Sequence, residues 1–123
     1  MTEHQVVVLS SDATLRREVE AVVASSGAVQ TIFAEWQSAD EMRPIRGDRI
    51  VVIDDEGQVE AVALVQSMKA REGSTAIIYL AAHHSIELER EVRRAGVSYY
   101  ADKSARGRNW MLAIEAILRT KEL

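Results

Sequence analysis

The residues that could carry chemistry follow short apolar runs of the chain. They stand at four places: Ser10, Ser11 and Asp12; Asp54, Asp55 and Glu56; His83 and His84; Asp102, Lys103 and Ser104. A carboxylate that faces a lysine can accept a phosphoryl group. The carboxylate attacks phosphorus, a divalent cation neutralises the gathered charge, and the ammonium binds a phosphoryl oxygen. Residue types alone, however, favour a simpler interpretation. Asp54 and Asp55 would then end a strand in solvent, and Lys103 would form only a weak surface ion pair.

The histidines allow two enzymatic interpretations of the same groups. Ser10 or Ser11 with His83 and Asp54 has the residue types of a hydrolase triad, but the sequence lacks the G-x-S-x-G nucleophile elbow. A transition-metal site at His83, Asp54 and Asp55 is the other, although two adjacent aspartates need not point the same way. Adjacent histidines in an exposed loop are usually solvated. Neither interpretation is preferred, and we expect the protein not to be an enzyme.

Five apolar runs are predicted to be the strands that position these groups. They span residues 6–9, 28–33, 50–53, 76–82 and 97–101. Apolar residues at helical spacing predict helices over 15–23, 61–68, 88–95 and 110–117, with a shorter candidate at 38–42 that Pro44 ends. Capping residues bound the helices. Asp12 and Ser85 are expected to begin two of them, and Gly27, Gly73 and Gly96 are expected to end three.

The alternation of strands and helices predicts an α/β fold, a parallel sheet covered on both faces. Right-handed crossovers favour the flavodoxin-like, doubly wound strand order 2-1-3-4-5. We expect one domain over residues 1–123. In such sheets ligands bind at the carboxyl ends of the strands, which is where the polar groups named above fall.

Composition excludes several classes of protein. The absence of cysteine rules out disulfides and thiolate metal sites. With 15 basic and 19 acidic residues the net charge is −4, which disfavours nonspecific binding to nucleic acid. We also expect no direct DNA contact. Residues 10–14 contain no glycine, contrary to the nucleotide-binding fingerprints. No signal peptide or membrane-spanning run is predicted, so we expect a cytoplasmic protein.

Four motifs, in their order along the chain, resemble the receiver domain of bacterial response regulators. Residues 6–17, VVVLSSDATLRR, resemble the first strand, acidic pair and first helix, and residues 50–54, IVVID, resemble the third strand with its phosphoacceptor. Residues 76–82, AIIYLAA, correspond to the fourth strand and its hydroxyl position, and residues 96–104, GVSYYADKS, to the switch aromatic and lysine. The resemblance covers nearly all of the chain. It implies a CheY-like two-component signalling domain with Asp54 as phosphoacceptor, Lys103 as phosphate contact and Tyr100 as switch aromatic.

Several residues depart from the family's pattern. The acidic pair that binds Mg²⁺ falls on Ser10 and Ser11, whose uncharged hydroxyls bind a hard cation poorly. The switch hydroxyl falls on Ala81, which cannot donate a hydrogen bond. Ser104 replaces the family's proline, and the loop after Asp54 is short and lacks its Met-Pro. We therefore predict an atypical receiver, or pseudo-receiver, that acts by protein–protein interaction with weak or no phosphorylation.

Two alternatives stay open. In the first, the protein is a conventional receiver in which Mg²⁺, held by Asp12, Asp54 and Asp55, supports phosphorylation of Asp54. In the second, it is a small hydrolase or metal-dependent enzyme at the same sheet edge. A hydroxyl held by His83 would favour the enzyme, and a Lys103–Asp54 contact without a metal would favour the pseudo-receiver.

The resemblance also implies partners. A histidine kinase is the upstream candidate. A signalling partner or second copy is expected on the face made by the helix at 88–95, the strand at 97–101 and the helix at 110–117. Tyr100 and Arg94 are the candidate contacts on that face.

Overall fold

A parallel five-stranded sheet with helices on both faces is the architecture of this computed structural model, which describes residues 4–25, 29–36, 49–71, 75–104 and 109–121. The strands are β1 (His4–Leu9), β2 (Val29–Ala34), β3 (Arg49–Asp54), β4 (Ala76–Ala81) and β5 (Tyr99–Asp102). The helices are α1 (Ala13–Ala24), α2 (Ala61–Arg71), α3 (Ile86–Ala95) and α4 (Asn109–Lys121). The predicted short helix at 38–42, Pro44, Gly27 and Gly73 lie outside the described residues.

The strand order β2-β1-β3-β4-β5 confirms the doubly wound prediction. All four pairings are parallel. The register sets Leu9 beside Ile53, Asp54 beside Leu80 and Ala81 beside Asp102. The carboxyl ends of β1, β3, β4 and β5 therefore meet at one edge of the sheet.

Alternate strand residues build a core on each face of the sheet, as the period of two dictates. Val6 and Val8 join the layer that α1 and α4 cover, where Trp110 and Ile114 are buried as expected for the last helix. Val7 joins the layer covered by α2 and α3. Every residue of β4 is buried, so side chains at its carboxyl end are held on both sides.

Local capping determines where the helices begin and end. The Asp12 side chain accepts hydrogen bonds from the backbone N–H groups of Thr14 and Leu15, and Ser85 caps α3 through Leu88. Gly96 ends α3 with a left-handed backbone, φ 105°. These three predicted caps are confirmed. Strand β5 starts two residues later than predicted because the chain leaves Gly96 in a turn before it enters the sheet.

No helix in the part of the chain that the structure describes is long and apolar enough to cross a membrane.

Gly96→Ala should destabilise the protein, because a left-handed backbone costs an L-residue about 1–2 kcal/mol. A Cβ at this position would also lie 3.3 Å from Cε of Lys69. Gly96→Asn is the matched control, because asparagine tolerates the left-handed region better than alanine does. Urea unfolding should rank wild type, then Gly96→Asn, then Gly96→Ala. An alanine variant as stable as wild type would contradict the assigned cap.

Candidate functional site

Asp54 ends β3 and presents a fully buried carboxylate at the sheet edge. Its Oδ2 accepts a hydrogen bond from the Ser10 hydroxyl at 2.7 Å and another from Nζ of Lys103 at 2.7 Å. Its Oδ1 is buried and has no hydrogen-bond partner among the described residues. The indole N–H of Trp36 donates to its backbone oxygen at 2.8 Å. The site is therefore a buried anion whose charge is compensated at one oxygen.

Lys103 supplies that compensation to two carboxylates at once. Its Nζ lies 2.7 Å from Asp54 Oδ2 and 3.1 Å from Asp12 Oδ2. Burial opposes the charged ammonium, but hydrogen bonds and the charges of both aspartates outweigh it and raise the pKa of Lys103. The hydrogen bond from Lys103 in turn lowers the pKa of Asp12. Lys103 and Asp54, which the sequence predicts to meet at this edge, are thus in direct contact.

Ser10 replaces an acidic residue of the receiver pattern, and it also takes part in the hydrogen bonding of the site. Its side chain is fully buried, and its oxygen also accepts a hydrogen bond from the backbone N–H of Asp12 at 3.0 Å. The sequence suggested this position as a missing metal ligand or as a triad hydroxyl, and not as a hydrogen-bond donor that holds Asp54. The available signal was that serine is small and can donate one hydrogen bond to a neighbouring carboxylate.

Glu56 makes a second bridge between the loops that follow β1 and β3. One of its carboxylate oxygens accepts hydrogen bonds from both the backbone N–H and the hydroxyl of Ser11. Glu56 has φ 49° and the next residue, Gly57, has φ 73°, so two successive residues are left-handed. Such a backbone costs a non-glycine residue of order 1–3 kcal/mol and is typical of functional loops. The bridge ties these two loops together beside Asp54.

Asp55 does not join this site, because consecutive residues of an extended chain point to opposite faces. Its carboxylate accepts hydrogen bonds from the hydroxyl of Tyr79 at 2.7 Å, from the N–H of Ala82 at 2.8 Å and from the N–H of Gly57 at 3.1 Å. The structure therefore does not bring Asp55 together with Asp12 and Asp54, as the predicted ligand set requires, since Asp55 faces the other core layer. For the same reason Asp54 and Asp55 do not converge with His83 on a metal.

The predicted hydrolase arrangement is not assembled either. The hydroxyls of Ser10 and Ser11 are bonded to the carboxylates of Asp54 and Glu56. His83 instead lines a cleft with Asp55 and Tyr79.

Mg²⁺ is the ion that the receiver fold implies, and the donor set fits it poorly. Magnesium requires several oxygen ligands in near-octahedral geometry. Here Lys103 stands between the carboxylates of Asp12 and Asp54, Ser10 directs a proton to Asp54, and Ser11 is bonded to Glu56. Within the described residues there is no group of three acidic or histidine side chains that could hold a metal ion. Asp54 Oδ1 is a buried acceptor with no hydrogen-bond partner among the described residues.

The aromatic position at β5 is held inward. Tyr100 is 6% exposed, its ring stacks on that of Tyr79 at 5.8 Å between centroids, and its hydroxyl lies 2.8 Å from Nδ1 of His84. Ala81, at the predicted hydroxyl position, is fully buried. As a docking contact Tyr100 is therefore misplaced in this conformation, because its ring packs in the core. Arg94 is exposed, as a surface contact requires.

Lys103→Met should destabilise the protein at neutral pH, because the Asp54 charge stays buried without a cation. The loss should lie toward the lower end of the about 3–5 kcal/mol that broken buried pairs cost, since Lys103 retains 27% exposure. Asp54→Asn in the Lys103→Met background should recover most of the loss by removing that charge. Urea unfolding of the two single variants, the double variant and wild type measures the cycle. A double variant no more stable than Lys103→Met would show that Asp54 is not the charged partner.

Asp12→Asn should weaken the protein at neutral pH but not in acid. The folded-state pKa of Asp12 is below its ordinary value of 3.8, so its stabilising effect is present above that value and lost as the pH falls through the folded pKa. Asparagine preserves the helix cap. The loss of unfolding free energy at neutral pH should be below about 1 kcal/mol because the ion pair is partly exposed. Urea unfolding at neutral pH and near pH 3 measures it. Glu20→Gln, an exposed change on the same helix, is the control. A stability difference between wild type and Asp12→Asn that is as large in acid as at neutral pH would contradict the Asp12–Lys103 pair.

Solved structures share this fold. A response regulator from Thermotoga maritima matches with a TM-score of 0.75 and 20% identity over 97% of this chain and 99% of that chain. The receiver domain of the putative response regulator NarL from Mycobacterium tuberculosis matches with a TM-score of 0.71 and 14% identity over 97% and 98%. A putative pilus assembly protein (cpaE) from Burkholderia thailandensis matches with a TM-score of 0.69 and 17% identity over 98% and 99%.

No protein-family model and no curated protein matches the sequence. At these identities the structural likeness concerns the fold. The chain has the flavodoxin-like fold of response-regulator receiver domains, over nearly its whole length.

Proposed function

We propose that the protein is an atypical receiver module of a two-component-type pathway, which signals by protein–protein interaction with weak or no phosphorylation. The observation that carries the proposal is the position of Lys103, whose ammonium lies between Asp54 and Asp12. The chain's own cation thus neutralises the carboxylates that a divalent ion would otherwise gather. The two hydroxyls at the acidic-pair positions are both engaged with carboxylates.

Access to Asp54 supports the same conclusion. A carboxylate must reach phosphorus in line with the leaving group, which requires an exposed oxygen. Asp54 is 0% exposed, and the Glu56–Ser11 bridge joins the two loops beside it. Phosphorylation would therefore require the groups around Asp54 to move before a phosphate donor could reach its oxygens.

The route from the site to the surface is also altered. In the receiver pattern a strand-4 hydroxyl meets the phosphoryl group, and this position is Ala81, which has no donor. The orientation of Tyr100 is instead set by His84 and by stacking on Tyr79. A bistable element responds only to a ligand that contacts its two states differently. Nothing at Ala81 can supply such a contact, so partner binding rather than phosphate is the better candidate for the signal.

The partner surface proposed for this function is the face of α3, β5 and α4. Two large apolar side chains are exposed on these helices, Ile86 at 64% and Leu112 at 62%, and Arg94 is exposed on α3. A signalling protein or a second copy would cover them, with a histidine kinase upstream if a phosphorylated form exists. Neighbours of the same fold that are described as response regulators support a signalling role. The proposal takes this role to be cytoplasmic and non-enzymatic.

A conventional phospho-receiver is the second candidate, and one observation favours it. Asp54 Oδ1 is a buried acceptor without a partner among the residues that the structure describes, and such unsatisfied groups are rare and costly in folded proteins. A phosphoryl group on that oxygen would keep Lys103 as its cationic contact.

A titration with millimolar magnesium and beryllium fluoride, an acyl-phosphate mimic, distinguishes the two candidates. Because the donor set fits a divalent ion poorly, we expect the amide NMR signals around Asp54 and Lys103 to show no saturable shift. Saturable shifts in wild type that Asp54→Asn abolishes would overturn the atypical assignment.

The Ser10→Asp, Ser11→Asp double variant is the matched control for this titration. It restores the two carboxylates of the family's pattern beside an unchanged Asp54. We expect it to gain a magnesium response, seen both as amide shifts and as magnesium-dependent stability, because the added anions repel Asp54 until a cation binds. The control also shows that a negative result in wild type comes from Ser10 and Ser11.

A further inference from the structure

A cleft of about 300 Å³ lies away from the Asp54 site, on the other side of β3. The loop after β3 and the first helix turns beyond it supply one wall, and α3 supplies the other. Val59, Val62 and Leu88 are its apolar residues, and Asp55, Tyr79, His83 and Glu91 are its titratable ones. Helix α3 borders both this cleft and the proposed partner face, but Ile86, Arg94 and Leu112, which are named for that face, do not line the cleft.

Two carboxylates, those of Asp55 and Glu91, line the cleft. Asp55 is 4% exposed and Glu91 is exposed, and within the described parts of the chain neither forms an ion pair. The hydrogen bonds to Asp55 come from neutral groups, a phenol and two backbone amides. A nearly buried carboxylate with only neutral partners is costly, and a cation placed nearby would reduce that cost.

The effect on Tyr79 shows that the two carboxylates act on one place. Burial raises the pKa of the Tyr79 hydroxyl most, followed by its hydrogen bond to Asp55 and then by the negative charges, including those of Asp55 and Glu91. Both anions therefore contribute to a negative potential around this hydroxyl, which lines the cleft. No lysine or arginine is among the described residues that line it.

The rim of the cleft is apolar and exposed. Val59 is 95% exposed, the highest value among the large apolar side chains of the described residues. Val62 and Leu88 are half-buried. An apolar stem that ends in a cation matches this combination, because it packs on aliphatic walls and brings its charge to carboxylates.

We propose that this cleft is a docking site for an arginine side chain of a partner protein. The stem packs between Val62 and Leu88, and the guanidinium reaches the carboxylates of Asp55 and Glu91. Arginine suits a half-buried site of this kind because it is more weakly hydrated than lysine and can bond two acceptors at once. Val59 packs on an apolar residue that is next to this arginine in the partner's chain. A free polyamine has no such apolar side chain. The site is independent of whether Asp54 accepts a phosphoryl group.

The test uses the peptide acetyl-Arg-Leu-amide and the same peptide with neutral citrulline in place of arginine, followed by amide NMR of the full chain. We expect saturable shifts at Gly57, Ala82 and Leu88 with the arginine peptide. Affinity for the citrulline peptide should fall at least about tenfold, as expected for loss of a charge-assisted hydrogen bond. Equal binding of the two peptides, or no shift at these residues, would overturn the proposal.

Two surface variants and one control locate the contact. Glu91→Gln, an exposed change that leaves the core intact, should weaken the arginine peptide severalfold. Glu87→Gln on the same helix, outside the cleft, should leave it unchanged. Val59→Ser should weaken the peptide but leave spermidine binding unaffected. Spermidine that binds more tightly than the peptide would assign the cleft to a polyamine and overturn the protein partner.

Discussion

The neutralisation of the Asp54 charge by Lys103 is the interaction on which the carboxyl edge of the sheet depends. Asp54 ends β3 and Lys103 directly follows β5, with β4 between the two strands, so their contact depends on the order of these three strands in the sheet. The ammonium also reaches Asp12, which caps α1. One cation thus links three of the chain segments at this edge. The aspartates and the lysine that resemble a phosphorylation site here hold these segments together.

The two aspartates at positions 54 and 55 divide the edge into two environments. Asp54 faces a cation, and Asp55 faces a phenol and backbone amides in the other layer. Alternation along an extended chain places adjacent carboxylates on opposite faces, so they do not act as a pair. In the sequence these adjacent acids look like part of one metal site. In the structure Asp54 forms an ion pair with Lys103, whereas Asp55 lines the cleft on the other side of β3.

The fold was accessible from the sequence, but only part of the site was. The strand order and the caps at Asp12, Ser85 and Gly96 follow from local patterns, and the Asp54–Lys103 contact follows from the order of the strands. The bond from Ser10, the Glu56 bridge and the partners of Asp55 do not. They depend on which rotamer each side chain adopts between loops that are distant in sequence. Tyr100 illustrates the limit, because alternation on β5 predicts that one of the two tyrosines is buried but not that His84 holds it.

The two tryptophans give each layer of the sheet its own optical reporter. Trp36 packs against the α2–α3 layer and donates its indole N–H to the backbone of Asp54, whereas Trp110 is buried against α1 in the other layer. The sequence contains no third tryptophan. Emission from a chain with one indole replaced by phenylalanine would therefore come from a single face. Fluorescence can then separate a rearrangement beside the buried carboxylate from loosening of the opposite core.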